Sequence, residues 1–294
     1  MNRWNRSTAR GWRAFHHPGF YILAAIVLAG VLVPLMLGDV AGDLYKRNLP
    51  PSWLGDGGSG LLGTDGTGRD LLAQILIGAR TSVAISVAVV ILASATGTVI
   101  GLVASLLRPT LGSIIMRWVD GFMSFPALLI ALSILFILGP GFWKIMLTLA
   151  LLNWPAYARI AYSDASQIKR APFVEAARNS GIAPTRIATH YVMPGIIRPA
   201  AALAAVQVGG IMLAESGLSF LGLGVQPPEV SLGLLISQGQ TSFPAVWTTT
   251  VFPGVMIVIV AGSLNAWAAH LSRMIDPLAT AYSAARAAEK GRLA

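Results

Sequence analysis

Four polar side chains fall inside otherwise apolar runs: Asn153, Gln207, Glu215 and Asn265. Glu215 carries the most information, because an ionised carboxylate at mid-bilayer depth costs about 2.5–3.5 kcal/mol even on insertion scales. Each of the four can line an aqueous path or make a hydrogen bond between helices, and residue type alone leaves both roles open. A proton- or ion-coupled carrier working alone through Glu215 is one reading of them. Hydrolytic or redox chemistry needs a nucleophile with its base, paired acids or a metal-ligand cluster, and none is evident here. His16 and His17 are adjacent rather than spaced along one helical face, while His190 and His270 stand alone. The absence of cysteine excludes disulfides and thiolate metal sites.

Glycine-rich GTDGTGRD, residues 63–70, invites comparison with a phosphate cradle, yet no G-x-x-x-x-G-K-[ST] occurs in the chain. Asp65 and Asp70 do not supply the ligand ladder of a calcium loop either. The stretch reads as a tight turn followed by a helix start, with Asp70 placed to meet free backbone N–H groups. Leu71, Leu72, Ile75 and Leu76 repeat at helical spacing, which predicts an amphipathic helix lying at the membrane interface.

The stretch FVEAARNSGIAPTRIATHYVMPG, residues 173–195, is the longest polar interruption in the second half of the chain. Pro172 suits the first turn of a helix and Gly181 a left-handed stop about two turns later. Pro184 then starts a second short helix expected to end before Pro194. Glu175 and Arg178 are spaced for an internal i,i+3 pair, as are Arg117 and Asp120. The result is a compact helix-turn-helix that projects from one face.

These features must be positioned by membrane helices. Hydrophobic residues make up 55% of the 294 residues and charged ones 11%, against the roughly one quarter charged in a soluble domain. Apolar runs near residues 19–38, 81–107, 114–139, 142–165, 196–221 and 250–271 each reach the roughly 20 residues needed to cross the hydrocarbon core. The fold expected is an all-α integral membrane protein with six transmembrane helices. The first run, preceded by Arg3, Arg6, Arg10 and Arg13, is too long for a signal h-region and reads as a retained anchor. With both tails inside, Lys and Arg divide as 16 cytoplasmic against 5 external, as orientation by positive charge requires. The formal charge of +9 follows from that topology, with arginines facing anionic headgroups, and needs no nucleic-acid partner. Small residues and prolines in SFPALL (124–129), LNWPAYARI (152–160) and VQVGGIMLAESGLSFLGLG (206–224) are those of closely packed, bent helices.

The pattern E-A-A-x-x-x-G at 175–181, with Pro194 thirteen residues on, resembles the cytoplasmic EAA loop of type I ABC importer permeases. Tyr191 and Met193 depart from that motif's I-x-L-P ending while keeping apolar bulk. LGTDGTGRDLLAQILIGARTSV (62–83), AESGLSFLGLGVQPPEVSLG (214–233), SFPALL and RMIDP (273–277) extend the likeness, which is to the C-type permease subunit of the dipeptide/oligopeptide/nickel branch. The resemblance implies a MetI-like permease fold in the bacterial inner membrane, with a cytoplasmic tail at 1–18, a first span at 19–38, an extracytoplasmic segment at 39–79, and a five-helix core at 80–276. That core includes the EAA loop at 166–195, and a second cytoplasmic tail follows at 277–294.

It implies a non-catalytic permease for dipeptides or oligopeptides, with nickel chelates, glutathione or opine-like compounds as the alternative cargo. The partners implied are a homologous B-type permease, two cytoplasmic ATP-binding subunits and an extracytoplasmic solute-binding protein. ATP and magnesium would be held by the partner subunits, with no cofactor on this chain. Glu175, Ala176, Ala177, Gly181 and Pro194 are the ATPase-coupling residues by that resemblance.

Overall fold

The computed structural model describes residues 17–37, 44–54, 58–243 and 246–275. Arg3, Arg6, Arg10, Arg13, His16 and the segment 277–294 lie outside them, as does the end of RMIDP. Among the described residues the chain is helical, with one isolated β-bridge between Thr64 and Asp70.

Helices fill all six apolar runs. They are α1 (Pro18–Leu37), α2 (Leu71–Leu106), the pair α3 (Pro109–Met123) and α4 (Ala127–Leu138), α5 (Phe142–Ile168), α8 (Met193–Phe220) and α10 (Thr248–Ile275). Between α5 and α8 lie α6 (Pro172–Asn179) and α7 (Pro184–Ile187), and between α8 and α10 the short α9 (Leu232–Gly239). Among the described residues, three segments are long and apolar enough to cross a membrane, Leu71–Leu106, Pro184–Phe220 and Thr248–Ser272, with a fourth if α3 and α4 count as one span. Lys144, Asn153, Arg159 and Asp164 dilute the hydropathy of the 27-residue α5.

The third apolar run is broken where a single helix was expected. α3 and α4 meet at 81° across Ser124–Pro126. Pro126 cannot donate a backbone hydrogen bond and biases Phe125 away from helical geometry, so the helix stops and restarts.

The expected interfacial helix is also corrected. Leu71–Leu76 opens the 36-residue α2, and Leu71 and Ile75 are buried with Leu23, Met212, Leu232 and Leu264. Their helical spacing faces α1, α8, α9 and α10 rather than lipid. The capping expectation holds: Asp70 Oδ1 accepts from Ala73 N at 2.9 Å. Asp65 closes the preceding turn by accepting from Thr67 N, Thr67 Oγ1 and Arg69 N at 2.7–2.9 Å.

The seam between α2 and α5 fixes the rest. In GTVIG (97–101) a Cβ on Gly97 would stand 2.2 Å from the Trp154 carbonyl oxygen, and one on Gly101 2.3 Å from that of Ala158. Only glycine lets the two backbones approach so closely, a small-x-x-x-small contact that sequence reading passed over although its spacing was visible. This seam buries one face of α5, with Pro155, Tyr157, Ala158, Ala161 and Ala165, and leaves the opposite face uncovered.

Candidate functional site

Three constellations come together on this frame. The first is the loop after α5. α6 begins at Pro172, whose missing N–H costs nothing in a first turn. It ends in a Schellman arrangement: Ile182 N donates to Ala177 O at 3.2 Å, Gly181 N donates to Arg178 O at 3.0 Å, and Gly181 takes φ +75°. A side chain at Gly181 would meet nothing within 4 Å, so the demand for glycine there is one of backbone conformation alone.

α6 divides cleanly between two faces. Val174 is buried with Leu102, Ala161, Ala165, Ile187, Val192 and Ile196, and Ala177 is buried too, whereas Phe173, Glu175, Ala176 and Arg178 are exposed. Ala177 thus faces the protein's own bundle while Glu175, Ala176 and Gly181 face outward. Phe173 stacks on Tyr191 at 6.4 Å between ring centroids. Tyr191 and Met193 pack against the same buried cluster, so the two residues that depart from the I-x-L-P ending keep its packing position.

The second loop helix does not stop before Pro194 as expected. α7 runs through a π-type turn at Ala188–Val192 into α8, and Pro194, which has no N–H to give, stands at that junction. The loop is therefore continuous with a membrane helix at one end. At the other, Lys169 Nζ donates to the Ser105 carbonyl at the end of α2. Burial, with Arg178 and Arg170 nearby, holds Lys169 below the usual lysine range. Glu175 and Arg178 form no ion pair with each other. Asp120 pairs with Arg159 of α5 rather than with Arg117, tying α3 to α5.

The second constellation surrounds Glu215, which is fully buried. Ser219 Oγ donates to its Oε1 at 2.7 Å, Ser216 Oγ lies 3.4 Å from Oε2, and the Ser82 and Ser231 hydroxyls also reach the carboxyl. Those serines in turn accept from Val225 N, Leu232 N and Leu234 N at 3.3 Å each. The carboxyl joins α2, α8 and the start of α9. Close approach there depends on glycine: a Cβ on Gly233 would sit 2.2 Å from Ser216 O. Asn265, exposed on α10, lies over Gly209 of α8, where a Cβ would meet its Oδ1 at 2.2 Å.

The third is a groove of about 460 Å³ walled by α4, α5 and α8, which brings Asn153 and Gln207 together. Ala127, Ala131, Gly210 and Ala214 keep it open. Asn153 Nδ2 donates to Leu149 O at 2.7 Å, and the buried Gln207 Oε1 has no hydrogen-bond partner. From Asn153 the uncovered face of α5 continues to a second hollow of about 400 Å³ along Arg159, Ser163, Ser166 and Arg170, next to the loop.

A family described as binding-protein-dependent transport system inner membrane component matches residues 97–278. A putative peptide transport system permease protein of Brucella suis is 34% identical over 261 residues, covering 88% of this chain and 86% of that protein. The di/tripeptide transport system permease protein DppC of Pseudomonas aeruginosa is 30% identical over 275 residues, covering 90% of each. Among solved structures, an inward-facing conformation of the MetNI methionine ABC transporter superposes with TM-score 0.58 at 16% identity, over 70% of this chain and 98% of that one. That likeness gives the fold, the α-helical permease fold of type I importers.

Proposed function

Because the chain belongs to the family of binding-protein-dependent transport inner membrane components, we propose that it is the permease subunit that carries short peptides through an ATP-driven importer. Members of this family work with ATPase and substrate-binding partners. The finer assembly in our reading is one homologous B-type permease, two ATP-binding subunits holding ATP and magnesium, and an extracytoplasmic solute-binding protein. This chain supplies no reacting group. The observation that carries the reading is the split of α6: Val174 packs in the bundle and Ala177 is buried, while Phe173, Glu175, Ala176 and Arg178 offer a mixed apolar and charged face to a second protein.

α6, sealed against the bundle, is joined by the tight Gly181 turn to α7, which runs through the π-type turn into α8, so the loop moves with that membrane helix. Closure of an ATPase dimer against it would tilt the bundle, and rigidity rather than chemistry is what the lever needs. Relatives named for peptide and di/tripeptide transport support peptides as cargo. In this reading the loop faces the cytoplasm and segment 39–79 the opposite side, both tails being cytoplasmic.

Two measurements test it. Reconstituted with its partners, the chain should take up trialanine only when ATP hydrolysis is intact; uptake without ATPase subunits would favour a carrier working alone. Since the native chain lacks cysteine, Thr67→Cys and Ser59→Cys report orientation cleanly, and labelling from the cytoplasm alone would overturn the topology. The burial of Glu215 among serines of its own chain speaks against the carrier reading, which needs that carboxyl to reach an ion path.

A further inference from the structure

Gln207 poses a question that packing does not answer. Its Oε1 is buried in a groove whose walls are nearly all apolar, and it accepts no hydrogen bond. An unsatisfied buried acceptor costs roughly 1–3 kcal/mol. Evolutionary replacement by leucine or methionine would remove that cost, so the group is suited to a donor that arrives from outside. Asn153, across the groove, spends its Nδ2 on Leu149 O and keeps its own Oδ1 as a second acceptor.

We propose that this groove is a transit subsite in which Gln207, aided by Asn153, accepts a hydrogen bond from the backbone N–H of the passing peptide. The assignment rests on the peptide reading given above. Three properties of the site select that occupant. No charged side chain lines the groove, so it has no purchase on a particular ionic side chain. Ala127, Ala131, Gly210 and Ala214 leave room for side chains of different size. A carboxamide matches the one polar group that every peptide repeats. A volume of about 460 Å³ lies within the roughly 300–1,000 Å³ of small-molecule sites. A lipid chain has no donor to offer Gln207.

The groove also leads somewhere. One side of α5 runs from the half-buried Leu152, Asn153 and Ala156 to the exposed Arg159 and Ser163, the half-buried Ser166 and the exposed Arg170, residues three or four apart. A peptide released from the amides would meet hydroxyls and guanidinium groups next. Weak binding by one or two neutral hydrogen bonds suits a transit site, because a ligand held equally in both facing states does not oppose their exchange.

The test compares trialanine with its depsipeptide analogue, in which one backbone N–H is replaced by an ester oxygen, in proteoliposomes holding the complete complex. Uptake is measured at saturating solute-binding protein, and each probe is expressed as variant over wild type, so that any preference of the binding protein cancels. Gln207→Leu should slow trialanine about fivefold and leave the ester analogue within about twofold of wild type, with complex yield unchanged. Gln207→Met, which keeps the side-chain length, gives the same result if leucine impairs assembly. Equal slowing of both probes, as expected if the groove seats the partner permease, overturns the assignment, and so does no slowing of either. Failure of the wild-type complex to take up trialanine overturns the peptide reading itself and this assignment with it.

Discussion

Around Glu215 the chain satisfies its own polar atoms, whereas along α6 it seals one face and leaves the other open. The carboxyl, four serine hydroxyls and three backbone N–H groups close on each other at the junction of α2, α8 and α9. In the loop, Glu175 and Ala176 face outward over Val174 and Ala177, which are buried. The difference separates a joint from a contact surface. Buried polar groups that are fully paired hold helices in one arrangement, and exposed ones with a rigid backing are available to another protein. A glutamate within an apolar span and a glutamate in a polar loop look equally functional by residue type. Only their surroundings tell them apart: one is enclosed by its own chain and the other is exposed.

Substitutions can break that contrast. The largest effect is expected in the sealed seam: Gly97→Val forces a side chain onto the Trp154 carbonyl and should destabilise by about 3 kcal/mol or more, read as loss of assembled complex on size-exclusion chromatography. Glu215→Ala comes next. It strips the serines of their shared acceptor and should cost about 1–3 kcal/mol, seen as lower complex yield with unchanged substrate preference. A new preference at normal yield would place Glu215 with recognition after all.

Gly181→Val is the counterpart to Gly97→Val. The added side chain meets open space, so the cost is the left-handed backbone alone, about 1–2 kcal/mol, and the complex should still assemble. Gly181→Asn, which tolerates that conformation, should assemble like wild type. The smallest effect belongs to Asp120→Ala. Its ion pair with Arg159 is about half exposed on both sides and should contribute less than about 1 kcal/mol, within error of wild type in a thermal melt.

Much of the layout was legible in residue pattern. Apolar run lengths located the six helical regions, Pro172 and Gly181 the ends of α6, and Asp70 the cap of α2. The likeness of EAARNSG to the coupling loop singled out the segment that folds as α6 and its Gly181 stop. Other features depend on what lies across from a residue. The spacing of Leu71 and Ile75 is the same whether a helix faces lipid or protein, and α9, which covers them, is too short to announce itself. Asp120 had an equally good partner in sequence at Arg117, and only the packing of α3 on α5 sets it beside Arg159. Asn153 and Gln207 lie fifty-four positions apart, and their shared groove exists because α4 turns away at Pro126.

The account stands on the loop as a lever, and uptake per ATP hydrolysed tests it most directly. The complete complex carrying Gly181→Val should be reconstituted in proteoliposomes, with ATP hydrolysis and trialanine uptake measured on the same sample. A tilted α6 should let hydrolysis continue while uptake falls by about tenfold, a loss equivalent to about 1.4 kcal/mol in the coupled step. Uptake per ATP equal to wild type, in a complex shown to be intact, would contradict the lever assignment.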